Sequence, residues 1–329
     1  MKKLFARIAV LTLAMILTLA PVLNAQAAVN YPRRAVELVI PFGAGSASDT
    51  FARQYAQIAE KYLGKPINCV NYGGAGTVEG MTYAWGADTE GYTFMEITPS
   101  LLIKELLNAS DIKFRAEFEP LLKVQNDVQL IGVSASSPFQ TFEELRAYAL
   151  EHPGDLKIGG ISPGGLDDYI ANGFAYTAGF QWTYVPYKAG SEVKAAVLGG
   201  ELDVYQDKMI NFLPMVQSGD IRPLVILSDH VPDIPELAGC VASKEIGIDF
   251  TQGSWRGFVI KKGVPQEVKD ILIDALKKAY EDPAYKQMEI DSMTNLSVGY
   301  MEADEWALAW DEEYNALHDV FLRLGYIEE

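Results

Sequence analysis

Short β-prone runs, small-residue turns and amphipathic helices recur along this chain in a fixed order. Val36, Leu38, Val39, Ile40 and Phe42 open the first such unit, two glycines and small polar residues follow, and the pattern predicts a helix beginning at Ser48 or Asp49. The unit returns as PINCVNY, GGAGTVEG and a helix through Tyr83 and Trp85. It returns again as GYTFMEITPS, a strand entering a loop at 98–100 ahead of the helix LLIKELL, and as DLKIGGISPGGLDDYIANGFAYTAG. In TYVPYKAGSEVKAAVLGGELDVYQD it ends in a further strand, LDVY. Strands alternating with helices imply parallel sheets covered by helices on both faces, an α/β fold.

The run LLKVQNDVQLIGV (121–133) is long and extended enough to cross between two lobes, and IRPLVILSD (221–229) is expected to make the return. The stretch between them has the size of a domain. This gives lobe 2 as 127–228 and lobe 1 as 28–126 with 229–329. Two helices close the chain. One starts near Pro265 with Val268, Ile271, Leu272 and Leu276 on one face. The other carries Trp306, Trp310, Leu317, Phe321 and Leu324 and stops at Gly325. Those aromatics read as core.

At the amino end, Lys2, Lys3 and Arg7 precede an apolar run (8–20) that Pro21 ends short of the roughly 20 residues a membrane span needs. With Ala25 and Ala27 flanking Gln26, this is the layout of a secretory signal peptide (1–27), cut after Ala27, and the mature protein is expected in the periplasm. No Cys follows the cut, so no lipid anchor is suggested. The 49% hydrophobic content is that of a globular protein. Net charge is −17, and −20 once the leader's three cations are removed, a surface that repels nucleic acid and anionic lipid. Export permits a disulfide between Cys69 and Cys240, which the sequence leaves open.

Enzyme signatures are missing. Gly64-Lys65 runs into Pro66, which no phosphate loop tolerates; Gly43 and Gly45 lack a third glycine; and Gly74, Gly76 and Gly80 are spaced too widely for a dinucleotide fingerprint. The spacing G-x-S-x-G occurs at Gly160, Ser162 and Gly164, but with only three histidines in the chain a histidine-assisted serine lacks support. His152, His230 and His318 share no metal-binding spacing. No catalytic residue, metal or cofactor is expected, and an exported enzyme using the cleft is the alternative from a different class. What remains are strand-to-helix junctions, which in an open α/β sheet lie at the carboxyl ends of the strands. Backbone N–H groups there hold a carboxylate without a side-chain cation. One such junction is explained by a tight turn; four in two lobes point to a cleft.

In order, YPRRAVELVIPFGAGSASDTFAR, VNYGGAGTVEGMTYAWGADTEGYTF, SPFQTFEELRAYALEHPGDLKIGG, YVPYKAGSEVKAAVLGGELDV and WRGFVIKKGVPQEVKDILIDALKKAYEDP resemble the Bug (TctC-like) receptors of the tripartite tricarboxylate transporter system, over residues 31–326. The resemblance implies a two-lobed, type II-like periplasmic binding protein, each lobe a mainly parallel sheet flanked by helices, with the ligand cleft between lobes. Such a protein closes on a small organic acid and delivers it to the permease subunits of its transporter. A receptor that closes in this way works as a monomer. In the family, backbone groups and ordered water of the loops grip the ligand carboxylate. Carried over, the first loop is Phe42, Gly43, Ala44, Gly45, Ser46, Ala47, Ser48 and Asp49. The second includes Gly74 and Ala75, the third Thr98 and Ser100, and the second-lobe loop Ser162, Pro163, Gly164 and Gly165. Tyr187 and Lys188 fall in the family's V-P-Y-K-G element and Asp203 in its G-G-x-x-D element, either lining the cleft or supporting it.

Two departures bear on the ligand. The second-lobe loop offers Asp167 and Asp168 where the family has small polar residues. They either cap the helix or face the cleft and pair with a ligand amine, as an amino acid presents. The first loop reads G-A-G-S-A-S-D rather than carrying adjacent glycines, so Ser46 and Ser48 are candidate hydroxyl donors.

Overall fold

The computed structural model describes residues 29–74, 77–161 and 163–328. The expected leader and its cut site, with Ala75 and Ser162 of the candidate site, lie outside the described residues. The chain divides into Met1–Tyr31 and Pro32–Glu329. In the first, Tyr31 N–H donates to the Val29 carbonyl at 3.0 Å; all that follows concerns the second.

Strand β1 (Val36–Ile40) pairs in parallel with β2 (Ile67–Asn71) and β3 (Thr93–Ile97). Its Val36, Leu38, Val39 and Ile40 are fully buried, as in a strand covered on both faces. Past β3 the first sheet continues with β11 (Ser254–Lys261), β4 (Phe118–Asp127) and β12 (Met301–Glu302). The second sheet runs β10 (Val241–Ala242), β9 (Ile221–Ile226), β5 (Gln129–Ser134), β8 (Val204–Lys208), β6 (Lys157–Ile161) and β7 (Thr183–Tyr187). The helices are α1 (Ala47–Leu63), α2 (Val78–Gly86), α3 (Pro99–Leu106), α4 (Phe114–Glu117), α5 (Phe142–Glu151), α6 (Leu166–Ala178), α7 (Gly190–Leu198), α8 (Met209–Gln217), α9 (Gln266–Glu281), α10 (Pro283–Asp291) and α11 (Ala303–Arg323).

Among the described residues both sheets are mixed: two of five strand pairs are parallel in the first and three of five in the second. The strands that connect them explain why. Only Val128 separates β4 from β5, so β5 enters the second sheet at the edge where β6 and β8 end, and must run antiparallel to β8. For the same reason β11, arriving from the second sheet, runs antiparallel to β3. The chain passes from the first sheet to the second between Asp127 and Gln129. The return does not fall at 221–229: Ile221–Ile226 is an inner strand between β5 and β10, and the chain re-enters the first sheet only at Ser254.

Strand β4 carries a bulge. Arg256 faces Gln125 across the ladder but Gly257 faces Lys123, so Val124 is an extra residue. Bulges re-aim side chains, and Lys123 and Gln125 open onto different cavities.

Helix α1 starts at Ala47, slightly earlier than the pattern predicts, because Ser46 caps it: its Oγ accepts the Asp49 N–H at 3.2 Å. Phe51, Tyr55, Ile58 and Ala59 form its buried stripe. On α11, Trp306, Trp310, Leu317 and Phe321 are core, while Leu324, beyond the last helical turn, is 38% exposed. Cys69 and Cys240 are both free thiols.

Candidate functional site

Asp49 fixes the loop between β1 and α1 from inside. Its Oδ2 accepts the Gly45 N–H at 2.8 Å, and its Oδ1 accepts Arg53 Nε and Asn71 Nδ2, each at 2.8 Å. Asn71 also donates to the Phe42 carbonyl at 3.1 Å. Burial raises the Asp49 pKa, but the Gly45 N–H, Asn71 and Arg53 outweigh it and hold the carboxylate below its ordinary range. Gly45 sits at φ +79°, a left-handed turn that favours glycine. Ser46 Oγ is engaged by the Asp49 N–H, and Ser48 is buried beside Glu96. The exposed Gly43 and Ala44, by contrast, have backbone N–H groups with no protein acceptor among the described residues.

The second loop presses against the first. A Cβ on Gly73 would lie 2.5 Å from Gly43 N and 2.8 Å from the Phe42 carbonyl carbon. Beside this contact is a cavity of about 240 Å³. Phe42, Gly43 and Gly73 line it from the first sheet's loops, Ser100 and Lys104 from α3, and Gly164, Gly165 and Leu166 from the second sheet's turn into α6. Phe42, Gly43, Ser100, Gly164 and Gly165, far apart in sequence, are therefore brought together. Thr98 supports this wall as the cap of α3, its Oγ1 accepting the Ser100 N–H at 3.4 Å. Gly74 lies just outside, with its carbonyl accepting the Glu79 N–H at 3.4 Å.

The acids of the second loop face their own backbone. Asp168, fully buried, accepts the Gly164 N–H at 2.8 Å, Asn172 Nδ2 at 2.6 Å and the Tyr326 hydroxyl at 2.5 Å. Asp167 accepts the Ile161 N–H at 3.0 Å, and burial pushes its pKa up. Both carboxylates order the turn into α6. Pro163 is exposed beside it. Tyr187 and Lys188 end the edge strand β7 and line neither this cavity nor the next; the Lys188 N–H donates to Glu192 Oε2 at 2.9 Å. Asp203 lies away from the cleft. Its Oδ2 accepts the N–H of Lys157, the first residue of β6, at 2.8 Å, which places it at the amino end of the second sheet.

On the other side of the first loop is a cavity of about 500 Å³, reached by Gly45 and Ala47 and lined by Gln125, Asp127, Lys208 and Arg256. Arg256 Nη1 donates to Asp127 Oδ2 at 2.9 Å, and Lys208, from the second sheet, lies 3.4 Å from the same oxygen. Burial raises Asp127, but Lys208 and Arg256 outweigh it and keep it an anion. Glu96 is completely buried, 3.9 Å from Arg256 Nε, and burial pushes it up to about 7 against the pull of Arg256 and Ser48. Glu313, on α11, is likewise raised by burial to about 7, with Lys123 and Trp255 opposing.

These two glutamates make stability pH-dependent. The folded state keeps protons that the unfolded chain releases above about pH 4.5, so their contribution is full below that value and is lost as pH rises through about 7. The depressed acids, Asp49 and Asp127, act at lower pH. Denaturation curves should show stability falling from pH 5 to pH 8, with a flatter profile in Glu96→Gln/Glu313→Gln; an unchanged slope in the double variant would contradict the assignment.

Sequence reasoning missed Lys104 and the Glu96, Asp127, Lys208 and Arg256 cluster. A signal existed: each cluster residue lies in or at the end of an apolar strand run, where an unpaired charge is costly.

Residues 51–319 match the family described as tripartite tricarboxylate transporter family receptor, TctC. A UPF0065 protein in the gbd 5' region of Cupriavidus necator is 31% identical over 290 residues, covering 84% of each chain. Among solved structures, a TctC solute binding protein from Polaromonas superposes with a TM-score of 0.80 at 23% identity, covering 89% of this chain and 99% of that one. MatC from Rhodopseudomonas palustris with bound malate superposes with a TM-score of 0.66 at 22% identity, covering 88% and 99%.

Proposed function

The chain belongs to the tripartite tricarboxylate transporter receptor family, and on that premise we propose that it captures a small dicarboxylate in the cleft between its two sheets. One observation carries this reading: loops of both sheets meet around a cavity of about 240 Å³ where the Gly43 N–H is free and Lys104 has no carboxylate partner among the described residues. That volume suits a ligand of malate's size, and malate is the ligand of the R. palustris relative. Amides at the α1 end, Ser100 and Lys104 take one carboxylate, and the turn into α6 takes the other. Asp167 and Asp168 each give a carboxylate oxygen to a backbone N–H, which favours a dicarboxylate over an amine-bearing ligand.

The family is one of transporter receptors. No helix among the described residues is long and apolar enough to cross a membrane. In this reading the leader is removed after Ala27, the protein works as a periplasmic monomer, the lobes close about Val128, and the loaded form delivers its acid to the transporter's permease subunits.

A thermal-shift panel of the chain from Ala28 tests the reading. A dicarboxylate at a hundred times its dissociation constant adds about 2.7 kcal/mol, a melting shift of a few degrees. Malate or a homologue should shift the wild type and shift Lys104→Gln less. Stabilisation by diamines or amino acids alone would reject it, as would disappearance of the bound acid on long incubation.

A further inference from the structure

Helix α11 belongs to the first lobe at one end and reaches the second at the other. Its Trp306 packs edge-on against Trp255 of β11, with ring centres 5.3 Å apart, and its Trp310 lies 5.2 Å from Phe114 of α4. Toward its carboxyl end the partners change. Phe321 meets Tyr169 of α6 at 6.2 Å, and the Arg323 guanidinium lies 4.2 Å from the centre of the Tyr176 ring on the same helix. Gly325, at φ +73°, then turns the chain so that the Tyr326 N–H donates to the Phe321 carbonyl at 2.9 Å and the two rings lie 5.4 Å apart.

This turn brings Tyr326 to the start of α6 without placing it in the interlobe cavity, whose lining among the described residues includes none of 321–328. Asp168 is fully buried, and a buried carboxylate needs donors for its oxygens. Two of its donors, the Gly164 N–H and Asn172 Nδ2, belong to the second lobe. The third, the Tyr326 hydroxyl, shares Oδ2 with Gly164 and comes from the chain's end. Burial, with the Asp168 hydrogen bond, pushes that hydroxyl up to about 12, so at neutral pH it stays a donor. Packing adds to the hold: a Cβ on Gly164 would lie 3.9 Å from Leu107, which follows α3, and from the Tyr326 ring. Gly164 is itself a wall of the cavity.

We infer that the segment after α11 is a strap from the first lobe that sets the second lobe's half of the binding cleft, with Tyr326 as a positioning residue acting through Asp168 on Gly164. The inference rests on dicarboxylate capture between the sheets. A turn held in this way keeps its N–H groups aimed before the ligand arrives, which spares the ligand the cost of ordering them. Linkage gives the converse: an acid that fixes the turn also fixes the strap, although it touches no strap residue.

Hydrogen exchange and calorimetry on the chain from Ala28 test this with Tyr326→Phe, which keeps the ring of a residue 39% exposed and should fold. Tyr62→Phe is the control, because it removes a similar hydrogen bond, from a tyrosine 40% exposed to Asp282, at the end of α1 opposite the first loop. In the unliganded protein, peptides covering 163–168 should exchange several-fold faster in Tyr326→Phe and at the wild-type rate in Tyr62→Phe. Malate, or the panel acid that binds most tightly, should protect 321–328 in the wild type. Its affinity should fall about fivefold in Tyr326→Phe, the scale of one lost hydrogen bond, and further in Tyr326→Ala. A tyrosine of structural value alone would lower stability without the ligand-linked protection or the difference from Tyr62→Phe. Unchanged exchange at 163–168 in Tyr326→Phe overturns the inference, as does an equal loss of affinity in the two phenylalanine variants. A wild type that binds no dicarboxylate rejects the capture reading alone, and exchange of the unliganded chain still decides the strap.

Discussion

An Arg256→Met variant should unfold about 3 kcal/mol more easily than the wild type, the low end of the ~3–5 kcal/mol that follows when one partner of a buried ion pair is removed. Arg256 is 4% exposed, donates to Asp127 at 2.9 Å, and lies over the Phe51 ring at 5.6 Å. Its loss leaves Asp127 to Lys208 at 3.4 Å and the Gln125 amide at 3.0 Å, which is why the cost stays at the low end. Glu96 escapes by keeping its proton, since burial already holds it near 7. Urea denaturation at pH 7 measures the loss, and Asp127→Asn added to Arg256→Met should recover part of it. A loss below about 1 kcal/mol, the scale of an exposed pair, would mean that the cluster is hydrated rather than buried.

The second large effect falls on binding. Gly73→Ala should cost at least tenfold in dicarboxylate affinity, about 1.4 kcal/mol. The added Cβ would sit 2.5 to 2.9 Å from Gly43 N, the Phe42 carbonyl carbon and Gly43 Cα, all backbone atoms of the first loop. A loop cannot yield there as a flexible side chain can, so it moves outward and its N–H groups lose their aim. Gly86→Ala is the control, because its methyl meets nothing within 4 Å. Calorimetry should find the control binding as the wild type does; equal affinity in Gly73→Ala would place the ligand away from this loop.

Much of this architecture is legible in the chain. VELVI, PINCVNY and LDVY announce strands by composition. The small residues after them announce the loops that gather at one end, because every βα turn of a parallel pair must lie there. Asp203 shows the limit. It stands in a motif shared with the family's receptors, but only the register of β6 against β8 reveals that it closes the amino end of the sheet. The charged cluster was hidden for a related reason: Glu96, Asp127, Lys208 and Arg256 come from four strands of two sheets, and nothing local pairs them. Polarity of the crossing strands also escaped, since alternation of strands and helices does not say from which edge a strand enters. Asp167 and Asp168 were legible as residues that suit a helix start, and in the structure they accept from the Ile161 and Gly164 N–H groups at that turn.

Hydrogen exchange of the chain from Ala28, with and without the tightest dicarboxylate of the panel, tests the central claim most directly. If backbone amides of loops from both sheets hold the acid, peptides covering 42–49 and 163–168 gain protection together, while those around Asp203 do not change. Protection confined to one sheet, or lying elsewhere, would contradict capture in the cleft between them.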